Sequence, residues 1–164
     1  MKVLVVSHDA GGAEIVSSWV RQNSENEYQF ILEEPANKIF GKKLLGIKNN
    51  SITKLKKIIE DSDFVITGTS QSSDLEKVAI KQAKRSKIIS ATFLDYWYGY
   101  KERFMLSGKM VLPDEIWVGD SYALELAEKE LPEAVVNLKN NPYLEDLLRE
   151  KEVLGKRETR KSET

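Results

Sequence analysis

Residues 3–14 read VLVVSHDAGGAE, and the fold class follows from this stretch. The apolar, β-branched run at residues 3–6 is typical of a strand that is buried on both faces. Two glycines come next, and residues 13–22 then place Ile15, Val16, Trp19 and Val20 on one side of a predicted helix. A buried strand followed by an amphipathic helix is typical of a parallel sheet.

The same alternation continues along the chain. Strands are predicted over residues 3–6, 28–32, 44–48, 64–67, 87–92, 115–118 and 134–138. Helices are predicted over residues 13–22, 35–43, 52–60, 73–85, 121–130 and 143–152. The helix at residues 73–85 has a capping box as its start signal, with Ser73 followed three positions later by Glu76. This pattern predicts an α/β fold: a single doubly wound, Rossmann-like parallel sheet with helices on both faces.

One domain is expected from a chain of 164 residues. We expect residues 1–150 to form the Rossmann-like domain. Residues 151–164 are dense in charge, and we expect them to form a frayed C-terminal tail.

Composition excludes several classes of function. Lys plus Arg total 25 and Asp plus Glu total 26, so the net charge of −1 argues against nucleic-acid binding, which needs many unpaired cations. The chain has no cysteine, which excludes disulfides, thiolate nucleophiles and Cys-based metal sites. A single histidine excludes a multi-histidine metal site within one chain, so we expect no metal.

Two common cofactor motifs are missing. The chain contains neither GxGxxG nor GxxxxGK[ST], which argues against NAD and ATP bound by those motifs, and we expect no cofactor. The apolar run at residues 3–6 is too short for a membrane span or a signal-peptide core. We therefore expect a cytoplasmic protein, and the lack of cysteine fits a reducing compartment.

Ligands of open parallel sheets bind beyond the carboxyl ends of the strands, so the loops after the strands are the expected site. The first of these loops carries His8, Asp9, Gly11, Gly12 and Glu14. The glycines either let a ligand approach the backbone or only permit the turn. His8, the one side chain that titrates near neutral pH by default, is expected to serve a site and not the core; Asp9 either orients it or pairs with its charge, or caps the helix.

Later loops add more polar and aromatic side chains. Thr69 and Ser70 lie in a hydroxyl-rich loop that is suited to phosphate or sugar hydroxyls, or to an ordinary helix cap. The segment at residues 93–104 is rich in aromatic residues and predicts a ligand site, a packed aromatic cluster or a protein-binding patch. The predicted ligand-binding residues of the later loops are Asp95, Tyr96, Trp97, Arg103, Asp120 and Ser121.

Three features resemble the N-terminal half of GT-B glycosyltransferases and of the related UDP-GlcNAc 2-epimerase. They are the glycine pair after the first strand, the segment LPDEIWVGDS at residues 112–121, and the segment LKNNPYLED at residues 138–146. Asn140 stands in the last segment where these proteins usually have glycine. The segments at residues 8–14 and 95–97 are also similar to uncharacterised proteins of surface-polysaccharide gene clusters.

The resemblance implies the acceptor-side domain of a glycosyltransferase-like system in surface polysaccharide or glycoconjugate synthesis. In two-domain enzymes of this kind, most donor contacts come from a second domain, so we expect a donor-domain partner, or a homodimer. In such a transferase, His8 or Asp9 is the expected general base on an acceptor hydroxyl. The expected ligand is a sugar, a glycan or a phosphate-containing small molecule. A non-catalytic module that binds a nucleotide, a sugar phosphate or a protein remains the alternative, as does a small enzyme of another kind.

Overall fold

The computed structural model describes residues 1–162 and has a six-stranded parallel sheet at its centre. The strands are β1 Lys2–Ser7, β2 Glu27–Leu32, β3 Phe64–Thr67, β4 Ile89–Leu94, β5 Met105–Leu106, β6 Lys109–Met110, β7 Glu115–Val118 and β8 Val136–Leu138. The helices are α1 Ala10–Gln22, α2 Ala36–Lys43, α3 Leu55–Glu60, α4 Leu75–Arg85, α5 Tyr100–Arg103, α6 Ser121–Glu130 and α7 Pro142–Ser162, with a short 3-10 helix at Ile52–Lys54. The order in the main sheet is β2-β1-β3-β4-β7-β8, and β5 pairs with β6 in a separate hairpin.

The helices cover both faces of the sheet, which confirms the doubly wound fold. Alternate residues of β1 point to opposite faces, as the pleat requires. Val3 and Val5 pack with residues of α1 and α2 on one face. Leu4 and Val6 pack with residues of α3 and α4 on the other. Because both faces are covered, the central strands are apolar along most of their length.

The strand predicted over residues 44–48 is wrong. Gly46 has a φ of +67° there, and the segment forms a turn instead of a strand. The edge of β2 is completed by one backbone bridge and one side chain. The backbone N–H of Asn50 donates to the Phe30 carbonyl at 2.8 Å. The Asn49 side chain accepts a hydrogen bond from the Leu32 N–H and donates one to the Leu32 carbonyl, both at 2.8 Å.

Helix α1 begins at Ala10, three residues earlier than predicted, so both glycines of the first loop lie in its first turn. Gly12 lies against the backbone of Gly68, and a Cβ on Gly12 would stand 3.1 Å from the Gly68 Cα. This approach brings the start of α1 onto the end of β3. A side chain at either position would push the two apart.

The sequence pattern also missed the hairpin of β5 and β6. Its turn contains Ser107 and Gly108, which both have positive φ. Such a turn is the usual two-residue connection of a hairpin, and the Ser-Gly pair is its sequence signal. Nearby, Tyr100 and Phe104 are buried in the core with α6, so the exposed aromatic residues of this segment are only Tyr96, Trp97 and Tyr98.

Helix α7 runs beyond the predicted end at residue 152 and continues to Ser162. Residues 151–160 are exposed to solvent, and residues 163–164 lie outside the described residues. Arg21 of α1 and Asp146 of α7 form an ion pair at 2.6 Å, which docks the helix on the domain. The opposite side of α7 exposes Leu144, Leu147 and Leu148.

None of the helices within residues 1–162 is both long enough and apolar enough to cross a membrane.

Replacing Asp146 with asparagine should destabilise the protein at neutral pH. Burial alone would raise the pKa of Asp146, but hydrogen bonds from Gln22, Ser18 and Arg21, with the charge of Arg21, hold it below the ordinary value of 3.8. The free energy of unfolding of Asp146→Asn should therefore fall by about 1–2 kcal/mol at pH 7. Since the pKa is lowered in the folded state, the difference should vanish as the pH falls through that pKa.

Urea unfolding followed by circular dichroism at pH 7 and in acid measures this difference. Asp61→Asn, at an exposed residue after α3, is the matched control and should change nothing at either pH. An equal loss for Asp146→Asn at both pH values would contradict the assignment of the ion pair.

Candidate functional site

The candidate site lies where the strand order reverses. Going outward from β1, the chain places β2 on one side and β3, β4, β7 and β8 on the other. The loops that leave β1 and β3 therefore diverge onto opposite faces at the carboxyl ends of the strands, and ligands of open parallel sheets bind in the crevice outside such a point. Val6 pairs with Thr67 in the register, so His8 and Thr69 leave the sheet at the same level.

His8, Asp9 and Ser70 form a hydrogen-bonded series in this crevice. Asp9 Oδ1 lies 2.5 Å from His8 Nδ1 and accepts a hydrogen bond of 2.8 Å from Ser70 Oγ. The Ser70 hydroxyl in turn accepts from the backbone N–H groups of Ser72 and Ser73, so its own proton is directed at Asp9. Because an ionised carboxylate only accepts, Nδ1 is the donor in this contact, and Nε2 is the ring nitrogen left to exchange a proton with a ligand.

Asp9 occupies the N-cap position of α1, but its side chain makes no capping hydrogen bond. The sequence left open for Asp9 either a contact with His8, to orient it or to pair with its charge, or the capping of α1. The geometry supports the orientation of His8. The His8 side chain is 20% exposed, so Nε2 lies within reach of a ligand in the crevice. Nε2 lies 3.8 Å from Glu33 Oε2, a half-exposed carboxylate after β2 that the sequence analysis did not single out.

Glu76 is the second functional group that sequence reasoning missed. The expected capping box does not form, because Glu76 Oε1 accepts from the backbone N–H of His8 at 2.8 Å. Its other oxygen, Oε2, is buried and has no hydrogen-bond partner among the described residues. Glu76 is only 2% exposed, and burial raises the pKa of its carboxyl group to about 7. Hydrogen bonds from backbone N–H groups lower the pKa, but they do not cancel the effect of burial.

Asp95, Thr69 and Arg103 form a second network beside the first. Arg103 Nη1 donates to Thr69 Oγ1 at 2.8 Å and lies 3.6 Å from Asp95 Oδ1. The Thr69 hydroxyl donates to Asp95 at 3.2 Å. Burial raises the pKa of Asp95, and the positive charge of Arg103 opposes that rise without cancelling it. The sequence predicted all three residues, but not that they contact one another.

Asp95 also packs against the first turn of α1. A Cβ on Gly11 would stand 2.0 Å from Asp95 Oδ2, so the carboxylate rests directly on the glycine. The Asp95 side chain therefore requires a glycine at position 11. The sequence analysis expected this glycine to let a ligand approach or to permit the turn, and neither expectation included this contact. The carboxylate lies at the first turn of the helix, where the N–H groups have no partner within the helix.

An exposed aromatic group borders the crevice and consists of Tyr96, Trp97 and Tyr98. Tyr96 and Tyr98 pack edge to face with ring centroids 4.7 Å apart. The Arg103 guanidinium lies 5.5 Å from the centroid of the Tyr96 ring. Trp97 Nε1 donates to Asp120 Oδ2 at 3.0 Å, which holds the indole over the loop after β7.

The remaining predicted site residues have other contacts. Asp120 caps α6 through a 2.7 Å hydrogen bond from the Ala123 N–H. Ser121 begins α6 and is exposed. Glu14 pairs with Lys43 of α2 at 2.5 Å. In residues 1–162, no group of three or more His, Asp or Glu side chains is placed to hold a metal ion.

A cavity of about 530 Å³ lies at the opposite edge of the sheet, where β1 and β2 begin. Its lining includes Lys2, Asn50 and Ser62, and it contains none of the hydrogen-bonded networks described above. We place the functional site at the carboxyl edge because the titratable groups with shifted pKa values and unpartnered buried atoms gather there.

Comparison with protein families finds no matching family, and comparison with curated proteins finds no matching protein.

Replacing Glu76 with glutamine should change how stability depends on pH. Because the pKa of Glu76 is raised from 4.5 to about 7, the folded wild-type protein binds the proton more tightly than the unfolded chain. Its free energy of unfolding should therefore fall as the pH rises through this window, by up to about 3 kcal/mol. Glu76→Gln removes this loss, so its stability relative to wild type should rise between pH 4.5 and 8.

Urea unfolding at a series of pH values measures both curves. Glu128→Gln, at an exposed position on α6, should follow the wild-type profile. Parallel curves for wild type and Glu76→Gln would show that the carboxyl group is not desolvated.

Replacing Gly11 with alanine should destabilise the protein, because the added methyl group collides with Asp95. We expect a loss of about 1–3 kcal/mol in the free energy of unfolding. Gly41→Ala in α2 is the matched control: its methyl group enters open space and should stabilise the helix by about 0.5–1 kcal/mol.

Denaturant unfolding of the single variants and of the double variant with Asp95→Ala completes a thermodynamic cycle. In the Asp95→Ala background the loss caused by Gly11→Ala should disappear. If the loss is the same in both backgrounds, the contact between Gly11 and Asp95 does not cause it.

Proposed function

We propose that this domain is the acceptor-side half of a glycosyltransferase-like system in surface polysaccharide or glycoconjugate synthesis. In this proposal, His8 is the general base that activates an acceptor hydroxyl, and a partner supplies the donor nucleotide-sugar site. The observation that carries the proposal is the hydrogen-bonded series of Ser70, Asp9 and His8, which leaves Nε2 as a free base at the crevice.

The chemistry needs one proton acceptor close to the acceptor hydroxyl. As the hydroxyl oxygen bonds to the anomeric carbon of the donor sugar, the bond from that carbon to the nucleotide phosphate breaks, and the nucleotide leaves with the electron pair. The hydroxyl proton passes to His8 Nε2. Asp9 holds the imidazole in the required tautomer and stabilises the imidazolium that forms, and a base placed in this way contributes roughly 10²–10⁴-fold in rate.

The aromatic group beside the crevice supports a sugar as the acceptor. Trp97 and Tyr96 expose large ring surfaces, 54% and 45% of each residue. Aromatic rings pack on the C–H faces of sugars, while neighbouring polar groups bind the hydroxyls. Asp120 fixes the indole of Trp97, so this surface is held in place before a ligand arrives.

A second protein chain fits the exposed apolar side chains of α7. Leu144, Leu147 and Leu148 of this helix are exposed. Apolar side chains grouped in this way favour docking of a donor-domain protein or of a second copy. We place this assembly in the cytoplasm, as the composition without cysteine suggests.

The second candidate is a binding module without catalysis. The exposed group of Tyr96, Trp97 and Tyr98 favours it, because adjacent exposed aromatics are also typical of protein-binding surfaces.

The variants His8→Gln and Asp9→Asn should test the proposed base. In a transfer assay with the copurified donor-domain chain, His8→Gln should lower kcat by roughly 10²-fold or more. Asp9→Asn should act in the same direction, because an amide can donate to Nδ1 and stabilise the wrong tautomer. Glu25→Gln, at an exposed position after α1, is the control and should leave kcat unchanged.

The single histidine allows a direct check that needs no partner. In ¹⁵N-detected NMR of the full chain, the neutral imidazole should carry its proton on Nδ1, and Asp9→Asn should change the tautomer. Nucleotide-sugars should not raise the melting temperature of the isolated chain. Full activity of His8→Gln would exclude the general-base role, and a thermal shift with one nucleotide class would favour the binding module.

A further inference from the structure

We propose that α7 binds the same helix of a second copy of this chain, with the two helices side by side and antiparallel. The inference deepens the proposed function, because it names one occupant for the surface of α7 that docks a second chain. It rests on the proposed function for that docking surface and requires nothing of the chemistry at His8.

The leucines of α7 form one stripe along the helix. Four residues share this stripe and are 43–63% exposed, namely Leu144, Leu147, Leu148 and Leu154. At 3.6 residues per turn they fall within an arc of about 120°. Asp146, which pairs with Arg21 of α1, lies on the other side of the helix. The leucine stripe therefore faces away from the domain on which the helix is docked.

Most of α7 has little packing on its own domain. Every residue from 147 to 160 is exposed. A helix of about 12–15 residues is marginal in water by itself, because most helical stability in proteins comes from the packing of an apolar face. Gly155 weakens this part further, since glycine costs about 1 kcal/mol relative to alanine inside a helix. A second helix against the leucine stripe supplies the packing that the domain does not.

The charges of α7 favour a second copy in the antiparallel orientation. The first half of the helix, residues 142–152, has four acidic and two basic side chains. The second half, residues 153–160, has one acidic and three basic side chains. The first half stays acidic even without Asp146, whose charge pairs with Arg21. An antiparallel pair sets each acidic half against the basic half of the other copy, whereas a parallel pair sets like charges together.

A two-fold axis midway between residues 150 and 151 serves both halves of the helix at once. Positions equally distant from such an axis lie level with each other, so Leu147 of one copy lies level with Leu154 of the other. An added Cβ on Gly155 would meet no atom within 4 Å, which leaves room beside Leu154 for the leucines of the other copy. In a two-fold pair every contact occurs twice, so each copy covers the exposed half of the other.

Sedimentation equilibrium of the full chain tests the assembly. The chain should sediment as a dimer, with twice the monomer mass of 18.7 kDa. Leu147→Gln and Leu154→Gln should each raise the Kd of the dimer by roughly tenfold or more, and glutamine keeps the helix propensity of leucine. Leu45→Gln, at a fully exposed leucine in the turn at residues 44–48, is the matched control and should leave the Kd unchanged.

Charge reversal tests the orientation. Lys156→Glu combined with Arg157→Glu makes the second half acidic, which should raise the Kd of the dimer by roughly tenfold or more. Adding Glu150→Lys and Glu152→Lys to the same chain should restore the Kd, because opposite charges then meet again with their signs exchanged.

The control for the change in net charge is Lys81→Glu with Lys84→Glu, at exposed positions of α4, which should leave the Kd unchanged. An unchanged Kd after the reversal in α7 would overturn the antiparallel arrangement, since a parallel pair only exchanges one repulsion for another. A chain that stays monomeric at every concentration, or that uses the leucine stripe to bind the donor-domain chain instead, would overturn the second copy as the occupant. That result would leave the proposed base at His8 intact, whereas full activity of His8→Gln would exclude the base and leave the dimer.

Discussion

The contact between Gly12 and Gly68 is the constraint on which the site depends. A Cβ on either glycine would lie 3.1 Å from the Cα of the other, so α1 and the end of β3 touch backbone to backbone. Because they touch, the loop after β1 and the loop after β3 share one crevice. Ser70, which follows β3, can then reach Asp9, which follows β1. Larger residues at the two glycines would separate the networks that make up the site.

The network around His8 uses polar side chains that do not cap the helices on which they lie. Asp9 stands at the N-cap of α1 but bonds His8 and Ser70. Glu76 lies in the first turn of α4, yet its carboxyl group holds the backbone N–H of His8. A cap given up at each helix lowers local stability, since such caps are worth about 1 kcal/mol. Side chains placed against the local preference are typical of functional sites.

Much of the fold could be predicted from the sequence, and for a definite reason. The boundaries of β3 and β7 follow from short apolar runs, because a parallel strand covered on both faces must be apolar throughout. The turn at residues 44–48 could not be predicted, since a single backbone bridge at Phe30 and the Asn49 side chain at Leu32 satisfy the edge of β2 in place of a full strand. The site was partly predictable: His8, Asp9, Ser70, Asp95 and Arg103 lie where loops follow strands, and all parallel strands end at the same edge.

The sequence by itself determined the class of the sheet and the edge at which polar loops gather, because hydrophobic periodicity reports which faces are buried. Only the tertiary structure decided the partner of each polar side chain. Glu76 matches a capping box, and its contact with His8 depends on the distance between two loops far apart in the chain. In the sequence, Gly11 has only the pattern of a turn. The reason that this position requires glycine is the contact with Asp95, which follows a different strand. Periodicity holds no information on such distances, since they are set by how the helices pack on the sheet.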